Sequence, residues 1–164
     1  MNILQIVRAI SLGICFYAGL YHLLVGIRRK PIDRIHLTFA FTALAFAFRN
    51  FGEIFFNSAA SDGRLNDYLF WGHLAVTGYI LGLIFLTWFV TIYTKVKPVF
   101  IPVAITLSYL ALLWIHQNSP YFYLFTEEPV FVDITLPWGE VVTYGNAKMS
   151  IWADLEWIIV LTMV

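Results

Sequence analysis

The chain has 164 residues, of which 60% are apolar and 18% aromatic, whereas only 12% are charged and the formal net charge is zero. A soluble domain normally carries about twice that share of charged residues, so the composition excludes an ordinary water-soluble enzyme and indicates lipid as the main solvent. The balanced charge lacks the basic excess of nucleic-acid-binding proteins, and we expect no DNA or RNA partner. The single cysteine, Cys15, lies in an apolar run where a packing role is expected.

Four apolar segments are long enough to cross the hydrocarbon layer, which takes about 20 helical residues, and a fifth follows them. These segments cover residues 9–27, 35–56, 68–93, 99–115 and 149–164. The pattern predicts an all-α, polytopic transmembrane bundle with the lipid bilayer as its partner. The fifth segment remains apolar up to Val164, without a polar cap to hold its end at an interface, which favours a fragment of a longer protein.

Basic residues are unevenly distributed between the two sides of the predicted bundle. The loops after the first and third segments contain Arg28, Arg29, Lys30, Arg34, Lys95 and Lys97, and the opposite side contains Arg8, Arg64 and Lys148. Because short loops rich in lysine and arginine stay in the cytoplasm, we expect the amino terminus to lie outside the cell.

Residues 118–148 form the one sizeable stretch between spans on the outer side, and within it the apolar pattern changes. Residues 130–136 and 141–144 are β-branched and aromatic runs, and they flank the sequence Pro-Trp-Gly-Glu at residues 137–140. Such runs around a turn predict a β-hairpin. Because a two-stranded hairpin alone is marginal in water, we expect it to pack on the helix ends as a cap over the bundle.

Two charged residues, Arg49 and Glu53, fall inside the second predicted span. A charge in a span costs several kcal/mol on insertion scales, so each is a candidate functional residue. Their spacing places them on one helix face, where they could form an ion pair. By helical rise, Arg49 lies roughly 10 Å inside the outer end of the helix and Glu53 about half as deep. The alternative is that both side chains extend to the interface and anchor the helix.

Further polar side chains are predicted at the same outer level, on three other helices: His73, His116, Asp154 and Glu156. Their shared depth favours an outward-facing pocket for an unidentified small effector with an apolar body and a charged or hydrogen-bonding head. Trp71 and Tyr144 are expected to close it. The predicted ligand-binding residues are therefore Arg49, Glu53, Trp71, His73, Tyr144, Asp154 and Glu156. The alternative is that these helix ends are simply polar.

The four histidines support a second hypothesis. Topology places His22 and His36 at the cytoplasmic level and His73 and His116 at the outer level, so two same-level pairs exist. A haem-binding electron-transfer protein would use such pairs as axial ligands. No cofactor is assigned by the sequence itself. A transporter is disfavoured because the predicted midplane is apolar.

Several stretches from the third span onward resemble a known family. They are Phe70-Trp71-Gly72-His73-Leu74, residues 88–94 with Lys97-Pro98, residues 115–122, and Thr143-Tyr144-Gly145. In these stretches, and in the acidic residue Glu53, the chain resembles the seven-helix membrane region at the amino terminus of some bacterial sensor histidine kinases and diguanylate cyclases. The resemblance implies a sensory input domain in the bacterial inner membrane, followed by a cytoplasmic signalling domain.

We therefore expect residues 1–164 to form a transmembrane sensory input domain that binds an effector in its outer half. Signal transduction to the output domain would proceed by a change in helix packing. The sequence contains no kinase, cyclase or hydrolase motif, so any enzymatic activity would belong to the missing output domain. A homodimer is expected if that domain is a histidine kinase.

Overall fold

The computed structural model describes residues 3–95 and 97–154, which form four long helices and one hairpin. The elements are α1 (Ile3–Arg28), α2 (Arg34–Ser61), α3 (Leu65–Thr94), α4 (Phe100–Asn118), β1 (Val130–Thr135) and β2 (Val141–Asn146). All four helices are long and apolar enough to cross a membrane. The predicted helical membrane fold is thereby confirmed. Of the predicted fifth span, residues 151–154 are helical, residues 149–150 precede this helix, and residues 155–164 lie outside the described residues.

The helices pack mainly on their sequence neighbours. α2 packs extensively on both α1 and α3, whereas α4 packs less extensively on α3. Small residues allow the α2–α3 approach: a Cβ on Gly52 would lie 2.9 Å from the Ala75 backbone nitrogen, and one on Gly78 would lie 2.8 Å from that of Arg49. Close backbone contact of this kind is how helices associate where lipid removes the hydrophobic driving force.

The first helix begins earlier than its hydropathy suggested. The sequence predicted a span starting at residue 9, with Arg8 at its upstream edge, but α1 already begins at Ile3. Arg8 therefore lies inside the helix, and its side chain is only 21% exposed. The helix continues through this charge because a carboxylate on α2 compensates it, an interaction described below.

The predicted hairpin is confirmed almost to the residue. β1 and β2 pair antiparallel, with Val130 opposite Asn146 and Thr135 opposite Val141. The hairpin packs on the helix ends, since the Phe131 ring meets the Tyr68 ring edge-on at 5.1 Å between centroids. The side of the bundle that carries the hairpin, the α2–α3 turn and the start of α1 is called the hairpin end below.

Candidate functional site

Three charged side chains from two helices meet near the hairpin end. Arg49 Nε donates to Glu53 Oε1 at 2.8 Å along α2, and Arg8 Nε on α1 donates to Glu53 Oε2 at 3.0 Å. The pairing expected from the spacing of Arg49 and Glu53 is present. One carboxylate thus holds two guanidinium groups and ties α1 to α2. We call this arrangement the Arg8–Glu53–Arg49 cluster.

A cavity of about 250 Å³ adjoins this cluster, between α2, α3 and the loop after α4. Its volume lies just below the range of about 300–1,000 Å³ that is typical of small-molecule sites. Arg49 and Glu53 supply its charged side. The other lining residues are apolar or aromatic and include Phe56, Ala75, Val76, Tyr79, Phe122, Leu124 and Phe125. The Arg49 guanidinium carbon lies 4.7 Å from the centroid of the Tyr79 ring, a cation–π contact that orients the charge within the cavity.

Phe122 forms one wall of the cavity. This residue has a positive φ of 62° and is only 2% exposed. Its ring lies directly over Gly72 of α3, where a Cβ would collide with both the Phe122 and Phe56 rings. Because Gly72 has no side chain, the Phe122 ring can pack directly against α3 and form this wall of the cavity.

His73 lies outside this cavity, although it is close to the cavity wall. Its ring packs on the His116 ring at 4.6 Å and on the Phe122 ring at 5.0 Å between centroids. The His116 side chain is fully buried, and its Nε2 lies 3.1 Å from the His73 carbonyl oxygen. His116 Nδ1 is buried without a hydrogen-bond partner in the described part of the chain. The two histidines thus form a packed pair between α3 and α4, next to the charged cavity and separate from it.

Of the remaining predicted site residues, those within the described part of the chain do not line the cavity. Trp71 stacks on Phe55 at 4.6 Å between ring centroids, beside α2. Tyr144 is exposed on β2, opposite Val132, and does not close the cavity. Asp154 is exposed and forms no ion pair within residues 3–95 and 97–154. Glu156 lies outside the described residues.

Both same-level histidine pairs are present, but their geometry does not fit a haem. At the end opposite the hairpin, His22 Nδ1 and His36 Nδ1 lie 2.7 Å apart, and the rings stack at 4.8 Å between centroids. Axial ligation places the porphyrin plane between the two ligating nitrogens. Direct contact of the His22 and His36 rings leaves no such gap, and the His73 and His116 rings also touch.

Sequence reasoning did not find three residues that shape the site. Arg8 lies at the edge of the first predicted span, Phe122 falls in the predicted stretch between spans, and nothing in the sequence pattern distinguishes Tyr79. The position of Arg8 was accessible in principle, because it is the one basic residue on α1 before the basic loop. The positions of Tyr79 and Phe122 depend on long-range packing, which the spacing of apolar residues along the sequence does not reveal.

Comparison with known proteins does not assign this chain to a family. No family model matches the chain, and no curated protein or solved structure is significantly similar to it. The function is therefore inferred from the cavity and the charged cluster of this chain.

Proposed function

We propose that this chain is the membrane-embedded input domain of a bacterial signal-transduction receptor, which binds a small effector in the cavity beside Arg49 and Glu53. The observation that carries the proposal is a largely apolar cavity with charged side chains at one side. A cavity of this kind is suited to a ligand with an apolar body and one polar head.

The same cluster provides a route from ligand to helix position. Glu53 lines the cavity and also holds Arg8 of α1. A ligand that engages Arg49 or Glu53 changes the charge balance around this carboxylate and thereby changes how firmly α1 is held on α2. A ligand shifts the population between two helix arrangements only if it contacts them differently, and this shared carboxylate supplies that difference.

The proposal includes an orientation and partners. The hairpin end faces the outside of the inner membrane, and the basic loops face the cytoplasm, where an output domain receives the signal. The resemblance to histidine kinase and diguanylate cyclase input regions supports this arrangement, as does the excess of lysine and arginine in these loops. A homodimer is expected if the output domain is a histidine kinase.

The relay is tested by measuring a distance at the end opposite the hairpin. In a Cys15→Ala background, Ile32→Cys and Lys97→Cys place spin labels in the α1–α2 and α3–α4 loops of the protein in phosphatidylcholine nanodiscs. Octanoate, 1-octanol and octylamine serve as ligands of matched length. We expect at least one of them to change the distance distribution by electron–electron double resonance.

Val76→Phe provides the control, because a larger side chain at this position fills the cavity. The same additions should then leave the distances unchanged. If a compound binds but the distances stay the same, the relay is refuted. If none of the three compounds binds, the cavity is not the effector site.

A further inference from the structure

The Arg8–Glu53–Arg49 cluster carries an excess of positive charge. Two guanidinium groups share one carboxylate, so the formal charge of the cluster is positive by one. Both oxygens of Glu53 are engaged, one by each arginine. Within the described residues, no other acidic side chain forms an ion pair with Arg8 or Arg49. An unbalanced charge within a span is costly, and an anion would neutralise it.

Both arginines still have hydrogen-bond donors to offer. Each uses Nε for Glu53, although a guanidinium carries five N–H donors in a planar fork. Arg8 Nη1 is buried and has no hydrogen-bond partner in the described part of the chain, although Arg8 itself does not line the cavity. Arg49 lines the cavity directly, above the Tyr79 ring. Arginine forks bind carboxylates through two parallel hydrogen bonds, so the donors at this site match such a group.

The rest of the cavity limits the size and polarity of the ligand. Its volume of about 250 Å³ is too small for a phospholipid with two acyl chains and suits a short molecule. Its apolar walls include Phe56, Val76 and Phe122, which offer contacts to a hydrocarbon or an aromatic ring. The geometry therefore combines a cationic end with an apolar body.

We infer that the cavity binds a small anionic amphiphile, a carboxylate on a short apolar chain, with its head group on Arg49 and its chain against Val76 and Phe122. This inference rests on the proposed function and narrows the effector to one class of charge. Glu53 acts as the positioning residue, because it holds Arg49 through its Oε1 and Arg8 through its Oε2.

The test is equilibrium binding of radiolabelled octanoate, 1-octanol and octylamine to the protein in phosphatidylcholine nanodiscs, with uptake by empty nanodiscs subtracted. Octanoate should bind about tenfold more tightly than octylamine. The octanoate carboxylate accepts a charge-assisted hydrogen bond from Arg49, whereas the octylamine ammonium group is repelled by it. Arg49→Ala should weaken octanoate binding by about tenfold and leave 1-octanol nearly unaffected.

Two further variants separate binding from folding and from general surface charge. Arg49→Lys keeps the charge but loses the planar fork, so its affinity for octanoate should lie between those of the wild type and Arg49→Ala. Arg64→Ala removes an arginine that is also at the hairpin end, but exposed and paired with Asp62 and Asp67, and should bind octanoate like the wild type.

The outcomes test the preference for an anionic ligand separately from the proposed function of the cavity. If all three compounds bind equally and all lose affinity in Val76→Phe, the anionic preference is refuted while the cavity remains the ligand site. If Arg64→Ala lowers octanoate binding as much as Arg49→Ala, the effect is one of overall charge and the inference is also refuted. If none of the compounds binds, both proposals fail.

Discussion

The contact between Gly72 and Phe122 shows how one missing side chain shapes the candidate site. The Phe122 ring occupies the space over Gly72, is almost fully buried, and also touches the His73 ring. The ring cannot move away without disturbing the histidine pair on one side or the cavity on the other. The integrity of the site therefore depends on the absence of a side chain at Gly72.

Gly72→Ala is expected to destabilise the protein by about 1–3 kcal/mol, because the added methyl group overpacks the Phe122 and Phe56 rings. Gly13→Ala is the matched control, since Gly13 also lies in a helix but has no atom within 4 Å of an added Cβ. Thermal unfolding of both variants in the same detergent checks the prediction. Equal melting temperatures for the two variants would contradict the tight contact.

The ion pair between Arg8 and Glu53 is expected to couple α1 to α2 energetically. A double-mutant cycle with Arg8→Ala and Glu53→Gln should give a coupling free energy of about 1–3 kcal/mol, as for side chains in one ion-pair network. The Glu53→Gln single variant should be the least stable member of the cycle, because it leaves two arginines facing each other without a carboxylate. If the effects of the two single substitutions on the free energy of unfolding were additive, Arg8 would be held on α2 by packing alone.

At the scale of the elements, the start of α2 depends on Asp33. Its carboxylate accepts hydrogen bonds from the backbone N–H groups of His36 at 3.2 Å and Ile35 at 3.1 Å, and from Arg29 at 2.9 Å. The N–H of His36 and then the Arg29 side chain lower the pKa of Asp33 below its ordinary value of 3.8. An N-cap of this type satisfies N–H groups that the helix itself leaves unpaired.

Asp33→Ala is therefore expected to destabilise the protein at neutral pH, with an effect that shrinks in acid. A carboxyl whose pKa is lowered on folding contributes its stability above the unfolded pKa, and this contribution disappears as the pH falls through the lower folded value. The difference in melting temperature between Asp33→Ala and the wild type should be full at pH 6 and should decrease below pH 3.8. A pH-independent difference would show that Asp33 acts without its charge.

The elements differ in how far the sequence could specify them. The hairpin was predictable because alternating β-branched and aromatic residues around residues 137–140 leave few other local conformations. The four spans were predictable from length and hydropathy, but their contact faces were not, since lipid-facing and helix-facing positions are equally apolar. The ion pair within α2 follows from spacing along one helix. Its third member, Arg8, required the packing of α1 on α2.

The same limit explains the scattered positions of the predicted site residues. Depth in the membrane predicts that His73 and the Arg49–Glu53 pair share one level, and Trp71 is expected to close the pocket there, but depth does not tell which side of a helix a residue occupies. In the structure, Arg49 and Glu53 line the cavity, His73 lies between α3 and α4, and Trp71 lies against Phe55. Hydropathy indicates how deep a residue lies in the membrane. Whether two residues line the same cavity depends on the rotation of each helix about its axis.

At the scale of the whole molecule, the chain is polarised along the helix axes. The charged cavity, the histidine pair of α3 and α4, and the hairpin all lie at one end, and the basic loops lie at the other. A receptor needs this separation, because the site that meets the effector and the surface that contacts the output domain must be on opposite sides of the membrane. The side of the membrane from which an effector would reach the cavity therefore depends on the orientation of the protein.

We expect that orientation to place the hairpin outside the cell. In a Cys15→Ala background, Lys148→Cys in the exposed segment after β2 should react with a membrane-impermeant maleimide on intact cells. Ile32→Cys in the α1–α2 loop should react only after the cells are permeabilised. Both positions are exposed in the structure, so a difference in labelling reports the side of the membrane rather than burial. The reverse labelling pattern would place the cavity on the cytoplasmic side, and the effector would then have to be an intracellular molecule.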